Sequence, residues 1–151
     1  MKKFRYSMQS LLVIKQKLED QAKAAYGVAK QRLNEEEERL VRMEEKREAY
    51  LEEKRDVMAG KLDVPKLNRL QTAVENMDEQ IVNQKQAIRK AELALKAAQE
   101  RLVESMMERK TQERLKENAM EAYRQEMNAE EQKEIDERTS FQYGVRETEE
   151  A

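Results

Sequence analysis

The chain has 151 residues, of which 41% are charged and only 5% are aromatic, so little apolar material is left for a thick globular core. A formal net charge of -2 argues against a dedicated nucleic-acid-binding protein. Cysteine and histidine are absent, and the three glycines lie more than thirty residues apart, which excludes thiolate metal sites, the usual general base and a phosphate-binding loop. We therefore expect no enzyme, no metal or cofactor and no small-molecule ligand.

The first predicted helix covers residues 5–58 and carries a seam of residues spaced alternately by three and four. Eight of the eleven seam positions are apolar, and the other three are charged: Ala22, Tyr26, Ala29, Leu33, Glu36, Leu40, Met43, Arg47, Tyr50, Lys54 and Val57. Upstream, Leu11, Ile14 and Leu18 are expected to continue this seam after a phase shift. Such a shift is a stutter, which locally relaxes the supercoil of a coiled coil. The longest apolar run, residues 11–14, is far too short to span a membrane.

A turn is predicted over residues 59–65, where the signals for ending and starting a helix cluster. Gly60 suits a helix C-terminus with a left-handed backbone. Val64 precedes proline and is disfavoured in helical geometry, whereas Pro65 fits a first helical turn. Asp63 can accept hydrogen bonds from the free amides at the helix start. The chain should therefore reverse direction here.

The second predicted helix covers residues 65–138 and has the stronger seam. Ten of its eleven seam positions are apolar: Leu67, Leu70, Val74, Met77, Ile81, Gln84, Ile88, Ala91, Leu95, Ala98 and Leu102. Five heptads of this kind are strong grounds for a coiled coil. The acidic segment 139–151 is expected to be a flexible tail.

Together these elements predict an all-α fold, an antiparallel two-helix coiled-coil hairpin that forms one domain over residues 1–151. It should be a long rod whose second helix is longer than the first, and residue n should face roughly residue 124 minus n. Residues 1–34 carry a net charge of +6 and residues 124–151 a net charge of -5, so the hairpin brings basic and acidic ends together. Interface-prone aromatic side chains gather at the same end: Phe4, Tyr6, Tyr123, Phe141 and Tyr143.

Two sets of these residues also have a purely structural interpretation that requires no binding partner. The carboxylates of residues 35–38 point in four directions along a helix, so a solvated charged face fits better than a cation site. Tyr6, Met8 and Tyr123 could simply close the last turns of the coiled coil, and Met43, Tyr50 and Met77 could be plain seam packing.

Residues 4–15 (FRYSMQSLLVIK) contain an aromatic pair followed by a leucine-rich turn. This opening resembles that of the flagellar type III export protein FliJ family. Residues 131–137 (EQKEIDE) resemble the family's E-x-K-x-(aliphatic)-D-E segment, and the turn falls where the family places it. The resemblance covers nearly the whole chain.

The resemblance implies a soluble coiled-coil protein that resembles the central stalk of rotary ATP synthases. Its expected partners are the hexameric export ATPase, whose assembly it would promote, a membrane export-gate protein and export chaperones. It would be cytoplasmic, held at the membrane through partners, and would serve flagellum biogenesis and motility. The implied ATPase-ring contacts are Phe4, Tyr6, Met8, Leu11, Leu12, Tyr123, Met127, Lys133, Ile135 and Asp136. The implied export-gate contacts are Met43, Tyr50, Met77 and Gln84.

Other functions remain open on the residues alone. A generic structural rod could associate with itself through the same seam, and an ATP-independent chaperone could bind unfolded export substrates without the ring. Nucleic-acid binding ranks last because of the net charge.

Overall fold

The computed structural model describes residues 3–150 and contains two helices, α1 (Gln9–Ala59) and α2 (Val64–Glu150). Both are rich in residues that lose little side-chain freedom on entering a helix, namely Glu, Lys, Arg, Gln, Ala, Leu and Met. No strand occurs among the described residues. The prediction of an all-α hairpin whose second helix is the longer is confirmed.

The chain reverses between Ala59 and Val64. Asp63 accepts a hydrogen bond from the backbone amide of Lys66 at 3.2 Å, so it caps α2 as predicted. Two details of the predicted turn are wrong. Gly60 does not have a positive φ, since α1 ends without a left-handed residue. Val64 is already helical, because the cap at Asp63 makes it the first residue of the helix and places proline in the first turn.

The helices pair in two units, the first of which is the turn unit, Asp20–Glu104. Its core is the seam of α2, where the buried side chains are Leu70, Val74, Met77, Ile81, Gln84 and Ala91. Every predicted α1 seam position from residue 22 to residue 57 is buried or half-buried. Arg47 pairs with Asp78 and Lys54 with Gln71, both at 2.5 Å, so partners descend along α2 as they ascend along α1. The helix segments of this unit are therefore antiparallel.

The second unit, the terminal unit, consists of the described parts of Met1–Glu19 and Ser105–Ala151. Its α1 segment turns Leu12, Lys15 and Glu19 toward α2, whereas Ile14 is 52% exposed and Leu18 is 41% exposed. The predicted continuation through Leu11, Ile14 and Leu18 is wrong, and so is the stutter. The inward positions follow the regular spacing of three and four from residue 12 onward, because the heptad phase set by the rest of α1 continues unbroken.

The first residues are not helical, contrary to the prediction of a helix from residue 5. Residues 3–6 have no regular structure, and Gln9 then bonds to the carbonyl oxygen of Tyr6 at 3.1 Å. The extended segment lets Phe4 pack on Tyr123, with ring centroids 5.5 Å apart. A helical start would not give the aromatic ring the same reach per residue.

The last part of α2, residues 129–150, is here called the overhang. Every residue whose side chain is described there is exposed to solvent. The predicted helix end near residue 138 is wrong, since the helix reaches Glu150, and the flexibility expected for residues 139–151 stays a prediction. The segment has no proline and a single glycine, Gly144, and local bonds such as Gln132 to Asp136 at 3.1 Å support the helix. Residue 151 lies outside the described residues.

Candidate interaction surfaces

The terminal unit joins the N-terminal segment to α2 through an aromatic contact and a hydrogen bond. Phe4 and Tyr123 pack in a tilted arrangement, and the Tyr6 hydroxyl donates to the Gln112 side-chain oxygen at 3.5 Å. All three aromatic side chains are half-buried. The structure therefore brings Phe4 to Tyr123 and Tyr6 to Gln112, eleven residues earlier on α2, with part of each aromatic ring accessible to a partner.

A cluster of charged side chains lies between α1 and α2 in the same unit. The Arg109 guanidinium donates to both carboxylate oxygens of Glu19 and, at 2.9 Å, to Glu113. Lys15 and Glu108 form a second pair at 3.0 Å. The hydrogen bond to Glu19, followed by that to Glu113, raises the pKa of Arg109 against the opposing effect of desolvation. Ion pairs thus take the place that apolar contacts hold in the turn unit.

The residues predicted to contact an ATPase ring divide by their exposure. Leu12 is 2% exposed and packs between the helices, so it is not available to a partner. Leu11 and Met127 are half-buried, as are the three aromatic residues. The remaining four are exposed: Met8, Lys133, Ile135 and Asp136.

An exposed apolar stripe on α1 was assigned to the wrong face by the sequence analysis. Ile14 and Leu18 face solvent, as does Val13, and half-buried Leu11 lies one turn before Ile14. The signal that identifies the stripe was present in the sequence. Counting backward from residue 22 in unbroken steps of three and four reaches Glu19, Lys15 and Leu12, which leaves the apolar residues outside.

The overhang carries a second exposed surface, part of which the sequence analysis had noted. Phe141 is 73% exposed, and Tyr143 and Val145 are also exposed. Glu134 and Glu137 precede Phe141 by seven and four residues, so they share its helix face and line the same shallow groove. Arg138 lines the groove as well, so this face is apolar at its centre and has two acidic side chains and one basic side chain beside it.

The residues predicted to contact an export gate all lie in the turn unit. Met43 and Tyr50 are half-buried, and the Lys46 ammonium lies 6.0 Å from the centre of the Tyr50 ring. Met77 and Gln84 are each 5% exposed. A gate protein could therefore touch Met43 and Tyr50 on the paired helices, but it could reach Met77 and Gln84 only if the helices separated.

Gln84 has a structural partner, the carboxylate of Glu36. The Gln84 amide donates to a Glu36 carboxylate oxygen at 2.5 Å and to the Glu36 backbone oxygen at 2.8 Å. Arg32 lies 3.1 Å from the same carboxylate and Arg39 lies 3.9 Å from it. The Gln84 hydrogen bond lowers the pKa of Glu36 most, desolvation opposes it, and the two arginines add to the lowering. This buried polar pair leaves no side-chain group unsatisfied among the described residues.

The grooves given by residues 3–150 are shallow and open, and no three potential metal-binding side chains converge in that range. Within the same range, neither helix has a stretch apolar enough to cross a lipid bilayer.

Comparisons with known proteins agree with this description. The family model described as "Flagellar FliJ protein" matches residues 4–148. A solved structure of a YscO homologue from Chlamydia trachomatis shares the fold, with a TM-score of 0.58 and 18% sequence identity over 97% of this chain and 99% of that one. No match was found among curated proteins.

Proposed function

Because the chain belongs to the flagellar FliJ family, we propose that it is the central stalk of the hexameric flagellar export ATPase. Family membership makes it a component of flagellar export, and the family is not a known enzyme family. The stalk would promote assembly of the ring, link it to the membrane export gate and escort export chaperones. It would act in the cytoplasm and reach the membrane through its partners.

The terminal unit is the part of the molecule that fits a ring best. The observation that supports this most strongly is the exposure of the overhang, residues 129–150. Its described side chains all face solvent and do not pack on α1. A helix segment of about 33 Å that has no packing partner among residues 3–150 can dock in a cavity without unfolding anything. Ile135, Lys133 and Asp136 lie on the overhang. Phe4 packs on Tyr123, which lies six residues before the overhang begins.

Two unequal helices have no rotational symmetry, which gives the proposal its mechanism. Inside a six-fold ring, such an element contacts each subunit differently. A ligand shifts a conformational equilibrium only through its different affinities for the two states. The stalk would therefore favour different conformations in different subunits and so promote assembly and turnover.

The turn unit would supply the contact with the export gate. Tyr50 and Met43 are the accessible members of the implied set, since each is half-buried on the paired helices. Met77 and Gln84 are assigned to the seam instead. The proposed gate surface therefore lies on α1.

The ring proposal is tested with variants that change the surface without touching the packing. Ile135→Ser combined with Asp136→Lys alters two exposed overhang residues. We expect a loss of at least tenfold in the apparent affinity with which the chain stimulates the export ATPase, with helicity by circular dichroism unchanged. The ATPase rate as a function of chain concentration gives the measurement.

The matched control is Val41→Ser, which removes a 51% exposed apolar side chain in the turn unit. It should stimulate the ATPase as well as the unaltered chain does. Equal stimulation by the overhang variant and the control would remove the overhang from the ring contact.

A further inference from the structure

Two unpartnered surfaces of the terminal unit have complementary chemistry. One is the stripe of α1 formed by Leu11, Ile14 and Leu18, with Val13 beside it. The other is the overhang face that carries Phe141 and Val145. Each has an apolar centre that a single chain leaves in water, and continuous exposed apolar surface of this kind marks interaction sites.

The charges around the two surfaces are opposite. Between residues 3 and 18 the chain carries four basic side chains and no acidic one: Lys3, Arg5, Lys15 and Lys17. Lys17 is exposed and lies one turn after Ile14 and Val13, so it borders the stripe. Residues 129–150 contain eight acidic and three basic side chains, and the groove at Phe141 is lined by Glu134, Glu137 and the basic Arg138, so it keeps a net negative charge. Opposite potentials favour contact between the two surfaces and resist contact between two overhangs.

We infer that the overhang of one chain docks on the Leu11–Ile14–Leu18 stripe of a second copy, so that two chains form a reciprocal dimer. In such a two-fold arrangement each stripe receives the other chain's overhang, and both surfaces are covered at once. The partner helix lies along α1 as a third helix and buries the apolar residues that the coiled-coil seam leaves outside. Basic side chains at the stripe face acidic side chains at the overhang.

The inference goes beyond the stalk role and does not rest on it. The dimer covers the same overhang that the stalk proposal assigns to the ring, so dimer and ring-bound stalk exclude each other. The dimer would then be a storage form that withholds the overhang until a ring is present.

The first test measures the molecular mass of the full chain by sedimentation equilibrium over a range of concentrations. We expect a monomer–dimer equilibrium that weakens as NaCl rises from 0.05 to 0.5 M, because the charged contacts are screened. Ile14→Ser with Leu18→Ser should raise the dissociation constant about tenfold or more. Val28→Ser with Val41→Ser is the matched control, since it also removes two exposed apolar side chains from α1, and it should leave the constant unchanged.

The second test reverses the charges on each surface. Lys3→Glu with Lys17→Glu reverses two of the four basic side chains of residues 3–18, and Glu134→Lys with Glu137→Lys makes the overhang face basic. Each variant alone should be monomeric at concentrations where the unaltered chain is dimeric. Mixed in equal amounts, the two variants should form a heterodimer, because each reversed surface meets a complementary one.

Three results overturn the inference: a monomer at every concentration, a dimer insensitive to the Ile14 and Leu18 substitutions, or a mixture of charge variants that stays monomeric. The last of these would mean that something other than the overhang covers the stripe. Sedimentation uses the chain alone, and ring stimulation uses the export ATPase, so this inference and the stalk proposal can fail separately.

Discussion

The turn unit and the terminal unit follow the same heptad spacing but differ in the side chains that this spacing turns inward. In the turn unit the seam of α2 is apolar and Glu36 with Gln84 is its buried polar pair. In the terminal unit the seam takes Lys15 and Glu19 inward and leaves their apolar neighbours in water. The turn unit therefore buries its apolar seam side chains between the helices, whereas the terminal unit leaves Ile14 and Leu18 exposed to solvent. The comparison teaches that the inward phase is a property of the whole helix and not of the most apolar local residues.

The largest expected effect comes from making the same substitution in both units. Ile81→Ala removes a buried seam side chain of the turn unit and should lower the free energy of unfolding by about 2 kcal/mol. Ile14→Ala removes an exposed side chain of the terminal unit and should change it by less than about 0.5 kcal/mol. Urea unfolding of both variants, at a concentration where the chain is monomeric, measures the difference. Equal losses would show that Ile14 is packed against α2.

The polar pair inside the apolar seam provides the next comparison. Gln84→Leu leaves the Glu36 carboxylate buried without its amide donor, and the urea midpoint should fall, though by less than in Ile81→Ala. Glu36→Leu combined with Gln84→Leu removes both polar groups and should return the midpoint to the original value or above it. A double variant less stable than Gln84→Leu alone would contradict this account of the pair.

The same pair predicts a dependence of stability on pH. Since the pKa of Glu36 is lower in the folded chain, its contribution to stability is fully present above the unfolded pKa and is lost as pH falls through the lower folded pKa. The melting temperature, followed by circular dichroism from pH 6 to pH 2.5, should therefore fall less steeply in Glu36→Gln than in the unaltered chain. Arg109 gives no such step, because its raised pKa keeps it charged throughout this range.

The smallest expected difference between the two units is in how much salt accelerates hydrogen exchange of their backbone amides. The Lys15–Glu108 pair is partly exposed, so 1 M NaCl screens it, whereas the α2 seam positions Ile88, Ala91 and Leu95 are apolar and buried or half-buried. We expect backbone amides of residues 105–119 to exchange hydrogen about two- to threefold faster at 1 M than at 0.05 M NaCl. Amides of residues 86–98 serve as the internal reference. The same acceleration in both segments would mean that the charged seam adds nothing specific to the terminal unit.

The sequence by itself determined the hairpin. Five heptads in α2, the weaker seam of α1 and the capping aspartate at the turn are local patterns, and local patterns fix which residues can form helices and where the chain can reverse. The seam from residue 22 to residue 57 was predicted position by position. The family resemblance was also present in the sequence, at the opening, the turn and the closing segment.

Only the tertiary structure decided which face of the terminal unit is inward. Leu11, Ile14 and Leu18 offer the more apolar stripe, but Leu12, Lys15 and Glu19 keep the heptad phase and meet Glu108 and Arg109 on α2. A hydrophobic pattern read along one helix cannot weigh the charges that a distant segment supplies, because those charges become neighbours only after the chain has reversed. For the same reason, the exposure of Ile14 and the burial of Gln84, which settle what each can contact, emerged only when the two helices were placed together.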